Sequence, residues 1–222
     1  MSAPQLGSVK TIFFDLDKTI LSVNSGLHWV GSEWRAGQIS GWQLLRALWW
    51  IARYQLGEAA MEEPLRYGIS LLRGQEERAM EERVERFFER VVGRVRPRAL
   101  EVIAEHQARG ERCVLITASS IYIAQRFADH LSLDDVIATR FEMSEGRFTG
   151  APDGPLCFGV GKRHLAESYL GSLGLNLSES WLYTDSYSDL PLLEAVGSPQ
   201  VVTPDPKLKR AALRRGWPIH HW

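Results

Sequence analysis

The sequence predicts an α/β protein: a mostly parallel sheet between two layers of helices, interrupted by an all-helical insertion. Short apolar runs alternate with helical patterns through much of the 222-residue chain, which is typical of a sheet covered on both faces. One long interval, from about Ser22 to Arg96, has helical patterns and no strand pattern. We therefore expect a three-layer, Rossmann-like core with a helical domain inserted into it.

Five apolar runs predict the strands of the core. They are VKTIFFDLD (9–17), RCVLITA (112–118), VIATRFEM (136–143), WLYTDS (181–186) and QVVTP (200–204). A further stretch, GRFTGAPDGPLCFG (146–159), predicts a small β-hairpin that leads into irregular chain. Runs of this length and apolar character indicate strands buried on both faces.

Four segments between these strands predict the core helices. The first, 97–110, has Pro97 near its start and Gly110 as its stop, and the second, 119–131, opens with serines suited to N-capping. The segments 161–174 and 189–197 each end at a glycine. These helices would cover the two faces of the sheet.

The interval between the first and second strands is interpreted as a cap domain. Two of its segments, 41–57 and 76–92, predict helices, and the second is amphipathic, with Val84, Phe87, Phe88, Val91 and Val92 on one side. We predict a discontinuous core of residues 1–21 and 97–222 and a helical cap of residues 22–96. The linkers would lie near residues 21–25 and 93–97.

Composition and charge are those of an ordinary globular protein. Lys and Arg number 26 against 27 Asp and Glu, so no global basic field favours nucleic acid, and we expect none as a partner. The two cysteines, Cys113 and Cys157, fit neither a zinc cluster nor a redox pair, which favours a reducing, cytoplasmic setting. The first dozen residues lack the pattern of a secretory signal, and no apolar run predicts a membrane-spanning helix.

Polar side chains follow several predicted strands, at the point where each strand ends. Ligands of open α/β sheets gather outside the carboxyl ends of the strands, so we expect these side chains to share one rim. Asp15 and Asp17 follow the first strand, and Thr117 ends the second. Asp185 and Asp189 follow the fourth strand, and Lys162 lies in a loop that opens a helix.

Carboxylates at this density need a cation, because ionised groups are costly to bury alone. Oxygen ligands without a set of Cys or His donors favour Mg²⁺ over zinc. A lysine and hydroxyls beside Mg²⁺ suit the oxygens of a phosphoryl group, whose transfer depends on positioning and charge neutralisation. The residues therefore indicate a Mg²⁺-dependent phosphoryl-transfer site.

Four motifs in order carry a family resemblance. DLDKT (15–19), an apolar strand ending at Thr117, Gly161-Lys162 and DSYSD (185–189) resemble those of the haloacid dehalogenase superfamily of phosphohydrolases. The stretches ITASS (116–120), TRFEMSEGRFTG (139–150), GVGKRHL (159–165), YTDSYSDLPLLEAVG (183–197) and TPDPKLKRAALRRGWPI (203–219) further resemble the phosphoserine-phosphatase-like branch. In that branch a helical cap lies between motifs one and two.

The resemblance implies a role for each of four side chains. Asp15 would be the nucleophile that forms an aspartyl-phosphate. Asp17 would protonate the leaving alcohol and then activate water, which requires a pKa raised above the ordinary value of about 3.9. Thr117 would hydrogen-bond the phosphoryl oxygens, and Lys162 would neutralise them.

The resemblance also implies a set of residues around Mg²⁺. Asp15, Asp185 and the backbone carbonyl of Asp17 would bind the ion. Asp189 would lie behind them, as an orienting residue or a ligand through water.

The family pattern is incomplete in the cap. In phosphoserine phosphatases an acidic cap residue meets the substrate's ammonium group, and an arginine binds its carboxylate. Asn24 and Gly68 stand at these two positions, and each missing charge-assisted hydrogen bond is worth roughly 1.5 to 3 kcal/mol. We therefore expect a substrate other than phosphoserine, although Arg66 or Arg73 would supply the arginine under a shifted alignment.

The cap half from residue 28 to 56 is rich in aromatic and basic residues. Packing among the cap helices explains this composition most simply, and an apolar substrate pocket or contact with a membrane surface are the alternatives. The residues concerned are Trp29, Trp34, Trp42, Trp49 and Trp50, with Arg35, Arg46 and Arg53 among them.

We therefore expect a Mg²⁺-dependent phosphatase that hydrolyses a small organic phosphate monoester through an aspartyl-phosphate. Histidinol phosphate, a lipid or isoprenoid phosphate, and phosphoserine are the alternative substrates. A phosphotransferase or a non-catalytic binding module are alternatives of another class. The pattern specifies no oligomeric state.

Overall fold

The computed structural model describes residues 10–55 and 62–222. In chain order, the strands of these residues are β1 (Thr11–Phe14), β2 (Arg112–Ser120), β3 (Asp135–Thr139), β4 (Phe141–Ser144), β5 (Arg147–Pro152), β6 (Trp181–Thr184), β7 (Ser198–Val202) and β8 (Ile219–His220). Six of them form one sheet in the order β3-β2-β1-β6-β7-β8, and each neighbouring pair is parallel. The first strand thus lies near the centre of the sheet.

The α-helices of the same residues fall into two groups. The segment between β1 and β2 holds α1 (Ser25–Arg35), α2 (Gly41–Gln55), α3 (Glu62–Ser70) and α4 (Glu77–Val91). The rest of the chain holds α5 (Pro97–Ala108), α6 (Ile121–Leu131), α7 (Gly159–Ser172), α8 (Leu190–Leu193) and α9 (Pro206–Arg215). None of the helices in the described ranges is long and apolar enough to cross a membrane.

Alternating side chains of the central strand divide the core into two layers. Ile12 and Phe14 of β1 join a buried cluster that includes α5 and α6. Phe13 points to the opposite face and joins a second cluster that includes α7, α8 and α9. Helices therefore cover both faces of a parallel sheet, which confirms the predicted fold class.

Two predicted strand assignments need correction. The run 136–143 is two strands rather than one, because the exposed Arg140 separates β3 of the main sheet from β4, which pairs antiparallel with β5. The hairpin therefore begins at Phe141, earlier than predicted, and turns at Glu145 and Gly146, whose φ angles are 51° and 74°. Positive φ at both positions is the geometry of a tight hairpin turn.

Several element boundaries differ from the prediction. The helix predicted over 189–197 shortens to α8, Leu190–Leu193, after a 3₁₀ turn over Tyr187–Asp189. Two elements, α9 and the two-residue strand β8, were not predicted from the sequence. The predicted start of the first strand at Val9 and the predicted end of a cap helix at Gly57 lie outside the described residues.

The chain leaves and re-enters the core at adjacent points. Ser22 N donates a hydrogen bond to the Arg94 carbonyl at 2.9 Å, and Arg96 N donates to the Ile20 carbonyl at 2.9 Å. Phe88 of α4 packs edge to face against Phe127 of α6, with ring centroids 5.1 Å apart. The inserted helices thus contact the core, while the predicted domain limits, 22–96 for the cap, stay a prediction.

Candidate active site

The first aspartate lies directly beyond the central strand. Asp15 N donates a hydrogen bond to the Tyr183 carbonyl at 2.9 Å, which extends the pairing of β1 with β6 by one residue. A wide turn over Leu16–Ile20 follows, and Lys18 within it adopts a φ of 55°. This turn leads back toward the strand end and sets Asp17 close to Asp15.

A buried lysine joins two of the predicted carboxylates. Lys162 Nζ lies 2.7 Å from Asp15 Oδ1 and 2.6 Å from Asp189 Oδ2. The Thr184 hydroxyl also donates to Asp189 Oδ2, at 2.6 Å. All four residues are buried, so this network replaces the water that each charge has lost. Thr184 was not identified from the sequence.

The start of α7 brings Lys162 to this position. A Cβ on Gly161 would lie 2.3 Å from the Leu156 carbonyl oxygen, a distance that no side chain tolerates. Only glycine therefore allows the backbone before Lys162 to pack so closely on the preceding loop. The Gly-Lys pair of the sequence motif has a steric reason here.

The charges around Asp15 shift its ionisation and that of Lys162. Burial raises the pKa of Asp15 to about 7, against the opposing attraction of Lys162. Burial lowers the pKa of Lys162, but Asp15 and Asp189 outweigh it, so the lysine pKa is raised and the ammonium form is held. A fixed cation beside a carboxylate suits the binding of a further anion.

Asp185 follows β6 on the same side of the site. Burial and the neighbouring Asp15 raise the pKa of Asp185 to about 8. Its backbone carbonyl accepts a hydrogen bond from Asp205 N at 2.9 Å. Within the part of the chain that the structure describes, no donor hydrogen-bonds to the Asp185 carboxylate. The Asp185 carboxylate is thus buried without a hydrogen-bond donor among the described residues, and Lys18 offsets only part of the cost of its charge.

Asp17 contacts the start of the cap. Ser25 N donates to Asp17 Oδ1 at 2.6 Å, and the Ser25 and Ser119 hydroxyls lie 2.9 Å apart. Ser119 N in turn donates to Thr117 Oγ1 at 3.2 Å. Thr117 is thus joined to Asp17 through two serines rather than by direct contact. Burial raises the pKa of Asp17 despite its hydrogen bonds from Ser25.

Asp15 and Asp185 would supply part of the oxygen ligand set that a Mg²⁺ ion needs. No three Asp, Glu, His or Cys side chains of the described residues converge into a metal group by themselves. The charge of Asp15 nevertheless disfavours ionisation of Asp185, whose carboxylate accepts no hydrogen bond within residues 10–55 and 62–222. Two hard oxygen ligands that need a cation fit Mg²⁺, which usually retains several waters. Asp189 differs, since Lys162 and Thr184 already occupy one of its oxygens.

A cavity of about 280 Å³ lies between the cap and this rim. Ser119 and Asn24 line it on the side of the aspartates, and Gly68 of α3 lines its wall. The Asn24 side chain caps α1, because its Oδ1 accepts a hydrogen bond from Leu27 N at 2.9 Å. The sequence indicated that Asn24 and Gly68 bear on substrate choice, but it did not predict the size of the cavity that both residues line.

The tryptophans of the cap have several environments. Trp29 packs edge to face on Phe87 with ring centroids 5.3 Å apart, and Trp50 lines the cavity. Trp34, Trp42 and Trp49 are exposed. Packing and a pocket wall therefore both occur, and contact of the cap with a membrane surface stays a prediction.

Comparisons with known proteins agree on one family. The family model described as haloacid dehalogenase-like hydrolase matches residues 12–194. The inhibition of morphological differentiation protein of Streptomyces azureus is 33% identical over 212 residues, which are 93% of this chain and 76% of that protein. The histidinol-phosphatase of Neisseria meningitidis serogroup C is 27% identical over 212 residues, covering 93% of this chain and 96% of that protein.

Solved structures share the fold over nearly the whole chain. A protein of unknown function from Bordetella pertussis Tohama I has a TM-score of 0.88 and 30% identity, covering 96% of this chain and 99% of that one. A substrate-bound phosphoserine phosphatase has a TM-score of 0.70 and 20% identity, covering 94% and 99%, and shows the shared fold alone. These findings confirm the predicted family and the prediction of a phosphatase-type hydrolase. The chain belongs to the haloacid dehalogenase-like hydrolases.

Proposed function

We propose that the protein is a Mg²⁺-dependent phosphatase that hydrolyses a small phosphate monoester through an aspartyl-phosphate on Asp15. The observation that carries this proposal is the buried Lys162 ammonium, 2.7 Å from Asp15 and 2.6 Å from Asp189. A fixed positive charge beside the proposed nucleophile, at the end of the central strand, supports this role for Asp15. Charge of this kind stabilises a transferring phosphoryl group.

In the first step, an Asp15 oxygen attacks the phosphorus atom of the ester. The bond from phosphorus to the ester oxygen breaks, and the protonated Asp17 gives its proton to the leaving alcohol. Two features support Asp17 in this role. Burial raises its pKa, and the 2.6 Å bond from Ser25 N fixes one of its oxygens.

In the second step, water attacks the phosphorus atom of the aspartyl-phosphate. The Asp17 carboxylate takes a proton from that water, the bond from phosphorus to the Asp15 oxygen breaks, and inorganic phosphate leaves. Asp15 and Asp17 then return to their starting protonation states. Lys162 and Thr117 hold the phosphoryl oxygens in both steps, and Asp189 positions Lys162.

Mg²⁺ would be held by Asp15, Asp185 and the backbone carbonyl of Asp17. When bound, it neutralises negative charge on the carboxylates and on the phosphoryl oxygens. Asp185, whose carboxylate meets no hydrogen-bond donor among the described residues, is the side chain that most needs such an ion.

The cap argues against phosphoserine as the substrate. Asn24 Oδ1 already accepts a hydrogen bond from Leu27 N, and nothing lies within 4 Å of a Cβ placed on Gly68, the position at which the family pattern has an arginine. The ammonium and carboxylate groups of phosphoserine would therefore lose two charged partners.

One relative favours a second candidate substrate. The protein of Neisseria meningitidis that matches 93% of this chain is named histidinol-phosphatase. Histidinol phosphate lacks a carboxylate, so the absence of an arginine at Gly68 does not weigh against it. Lipid and isoprenoid phosphates remain further arms of the same test.

The test is a phosphatase screen with millimolar Mg²⁺ over amino-acid, amino-alcohol, sugar, nucleotide and lipid phosphates, with p-nitrophenyl phosphate as a general probe. We expect phosphate release that EDTA abolishes and Mg²⁺ restores, with phosphoserine among the weaker esters. Phosphoserine as the preferred substrate would overturn our interpretation of Asn24 and Gly68. Phosphate released only when an acceptor alcohol is present would indicate a phosphotransferase.

A further inference from the structure

Glu33 is the charged side chain that lines the cap cavity; every other lining residue of the described chain is apolar or neutral. Only 6% of Glu33 is exposed. A buried carboxylate in such a wall is costly unless a cation or hydrogen-bond donor meets it. The cavity therefore has one negatively charged lining group, the Glu33 carboxylate, which has no role in the proposed reaction steps.

The Glu33 carboxylate lies far from the reacting groups, along the first cap helix. Ser25, Trp29 and Glu33 are spaced four residues apart on α1, so they share one face of the helix. Ser25 contacts Asp17 at one end of this face. At a rise of about 1.5 Å per residue, Glu33 lies roughly 12 Å further along the axis.

Arg83, which lies behind the cavity wall, pairs with Glu33 only at a long distance. Arg83 Nη1 lies 3.4 Å from Glu33 Oε2, which is longer than a charge-assisted hydrogen bond of about 2.7 to 2.9 Å. The same guanidinium donates to Gln38 at 3.2 Å and to Gln75 at 2.7 Å. Arg83 itself does not line the cavity.

The ionisation of Glu33 agrees with this geometry. Burial raises its pKa, and the nearby Arg83 and Arg86 oppose the shift only in part. The Glu33 carboxylate thus has one long ion pair, to Arg83, with Arg86 acting at longer range, and it also lines the cavity. Its charge calls for a cation from the ligand.

The same wall offers nothing to an anionic group of the leaving alcohol. No Lys, Arg or His is among the described residues that line the cavity. Between Ser25 and Glu33 the wall is apolar, with Trp29, Val30 and Ile69 among its members. The cavity thus fits an apolar chain with a cation at its far end and no carboxylate.

We infer that Glu33 binds an ammonium or similar cationic group at the far end of an elongated leaving alcohol. The substrate class is then a phosphate monoester of a long amino alcohol without a carboxylate. This inference rests on the proposed function and adds to it the residue that selects the substrate and the length over which it does so.

The helix fixes an approximate length for that alcohol. Of the roughly 12 Å along α1, about 3 Å is the contact between the carboxylate and the ammonium group. The remaining distance of about 9 Å corresponds to roughly seven extended bonds of about 1.2 Å each. A short amino alcohol such as ethanolamine would not reach Glu33 from the phosphoryl site.

The test uses two matched series of esters with Mg²⁺: ω-aminoalkyl phosphates and n-alkyl phosphates of two to about eight carbons. We expect kcat/KM of the amino series to peak near six carbons and to exceed the alkyl ester of equal length by about tenfold or more. In Glu33→Gln the ratio between the two series should fall to about one. Because the ratio is taken within one protein sample, partial misfolding cancels.

Glu101→Gln is the matched control, since it removes an exposed carboxylate of α5 that pairs with Arg98 outside the cavity. It should keep the wild-type ratio. A wild-type ratio near one at every length would overturn the inference while leaving the phosphatase proposal intact. The same holds if Glu33→Gln lowers both series equally, which is the result of a purely structural ion pair. If neither series nor p-nitrophenyl phosphate is hydrolysed, the proposed function itself fails.

Discussion

Lys162 and Asp15, 147 residues apart in the sequence, form a buried ion pair with 2.7 Å between Nζ and Oδ1. The same ammonium group contacts Asp189 at 2.6 Å. One cation therefore compensates two buried carboxylates. The pair links the fold to the proposed chemistry, because the charge that stabilises the site is also the charge that would hold a phosphoryl group.

Lys162→Met should destabilise the protein and abolish turnover. It leaves Asp15 and Asp189 buried without a cation, and removing one partner of a buried pair costs about 3 to 5 kcal/mol. The free energy of unfolding, from urea titration at neutral pH, and phosphate release from p-nitrophenyl phosphate check the two effects.

The double variant Lys162→Met with Asp189→Asn is the control for this prediction. Asparagine removes one of the two uncompensated charges, so part of the lost stability should return while activity stays absent. A single variant as stable and as active as the wild type would show that the ion pair has neither role.

Gly161→Ala should lower both stability and activity. The added Cβ would meet the Leu156 carbonyl oxygen at 2.3 Å, so the start of α7 must shift, and Lys162 shifts with it. Overpacking of this kind costs about 1 to 3 kcal/mol. Thermal unfolding and kcat with p-nitrophenyl phosphate measure the two losses.

Gly171→Ala in the same helix is the matched control. Nothing lies within 4 Å of a Cβ at Gly171, so alanine should leave activity unchanged and stabilise α7 by up to about 1 kcal/mol. Equal behaviour of the two variants would refute the steric role of Gly161.

Much of the fold could be predicted because its strands are short apolar runs. β1, β2, β6 and β7 all lie within or close to the predicted segments. The hairpin was predicted too late in the sequence because a single exposed residue, Arg140, separates β3 from β4 within a run that looks continuously apolar. The start of α9 carried a signal that was not used, since Asp205 caps it and Pro206 opens it.

The candidate site was predictable only where the chain itself carries the pattern. Asp15 and Asp189 follow strands, and the sequence indicates that such side chains share a rim. Thr184 and Ser25 were not predicted as site residues. They hydrogen-bond to Asp189 and Asp17 because of how the chain turns between them, and spacing in the sequence does not reveal that. Glu33 resembles any surface carboxylate of a helix until the neighbouring helices enclose it.

Asp185→Asn should stabilise the protein in EDTA above pH 8. Burial, followed by Asp15, raises the pKa of Asp185 from 3.8 to about 8, so the folded state binds a proton that the unfolded state has released. The free energy of unfolding therefore falls as pH rises through this interval. Asparagine removes this buried charge, which Lys18 offsets only in part, for an expected gain of about 1 to 3 kcal/mol.

With Mg²⁺ present, the wild type should be more stable than Asp185→Asn. A ligand that binds only the folded state stabilises it by mass action, so millimolar Mg²⁺ should raise the Tm of the wild type. Asp185→Asn lacks a proposed ligand and should show little or no rise. An equal Mg²⁺-dependent rise in both proteins would exclude Asp185 from the metal site.

The most direct test of the central claim is chemical trapping of the intermediate on Asp15. The enzyme is mixed with Mg²⁺ and a phosphate ester, quenched with borohydride, digested and analysed by mass spectrometry, since borohydride reduces an acyl phosphate to the alcohol. We predict conversion of Asp15 to homoserine in the wild type during turnover, and neither turnover nor conversion in Asp15→Asn. Reduction at another carboxylate, or wild-type turnover by Asp15→Asn, would contradict the proposed mechanism.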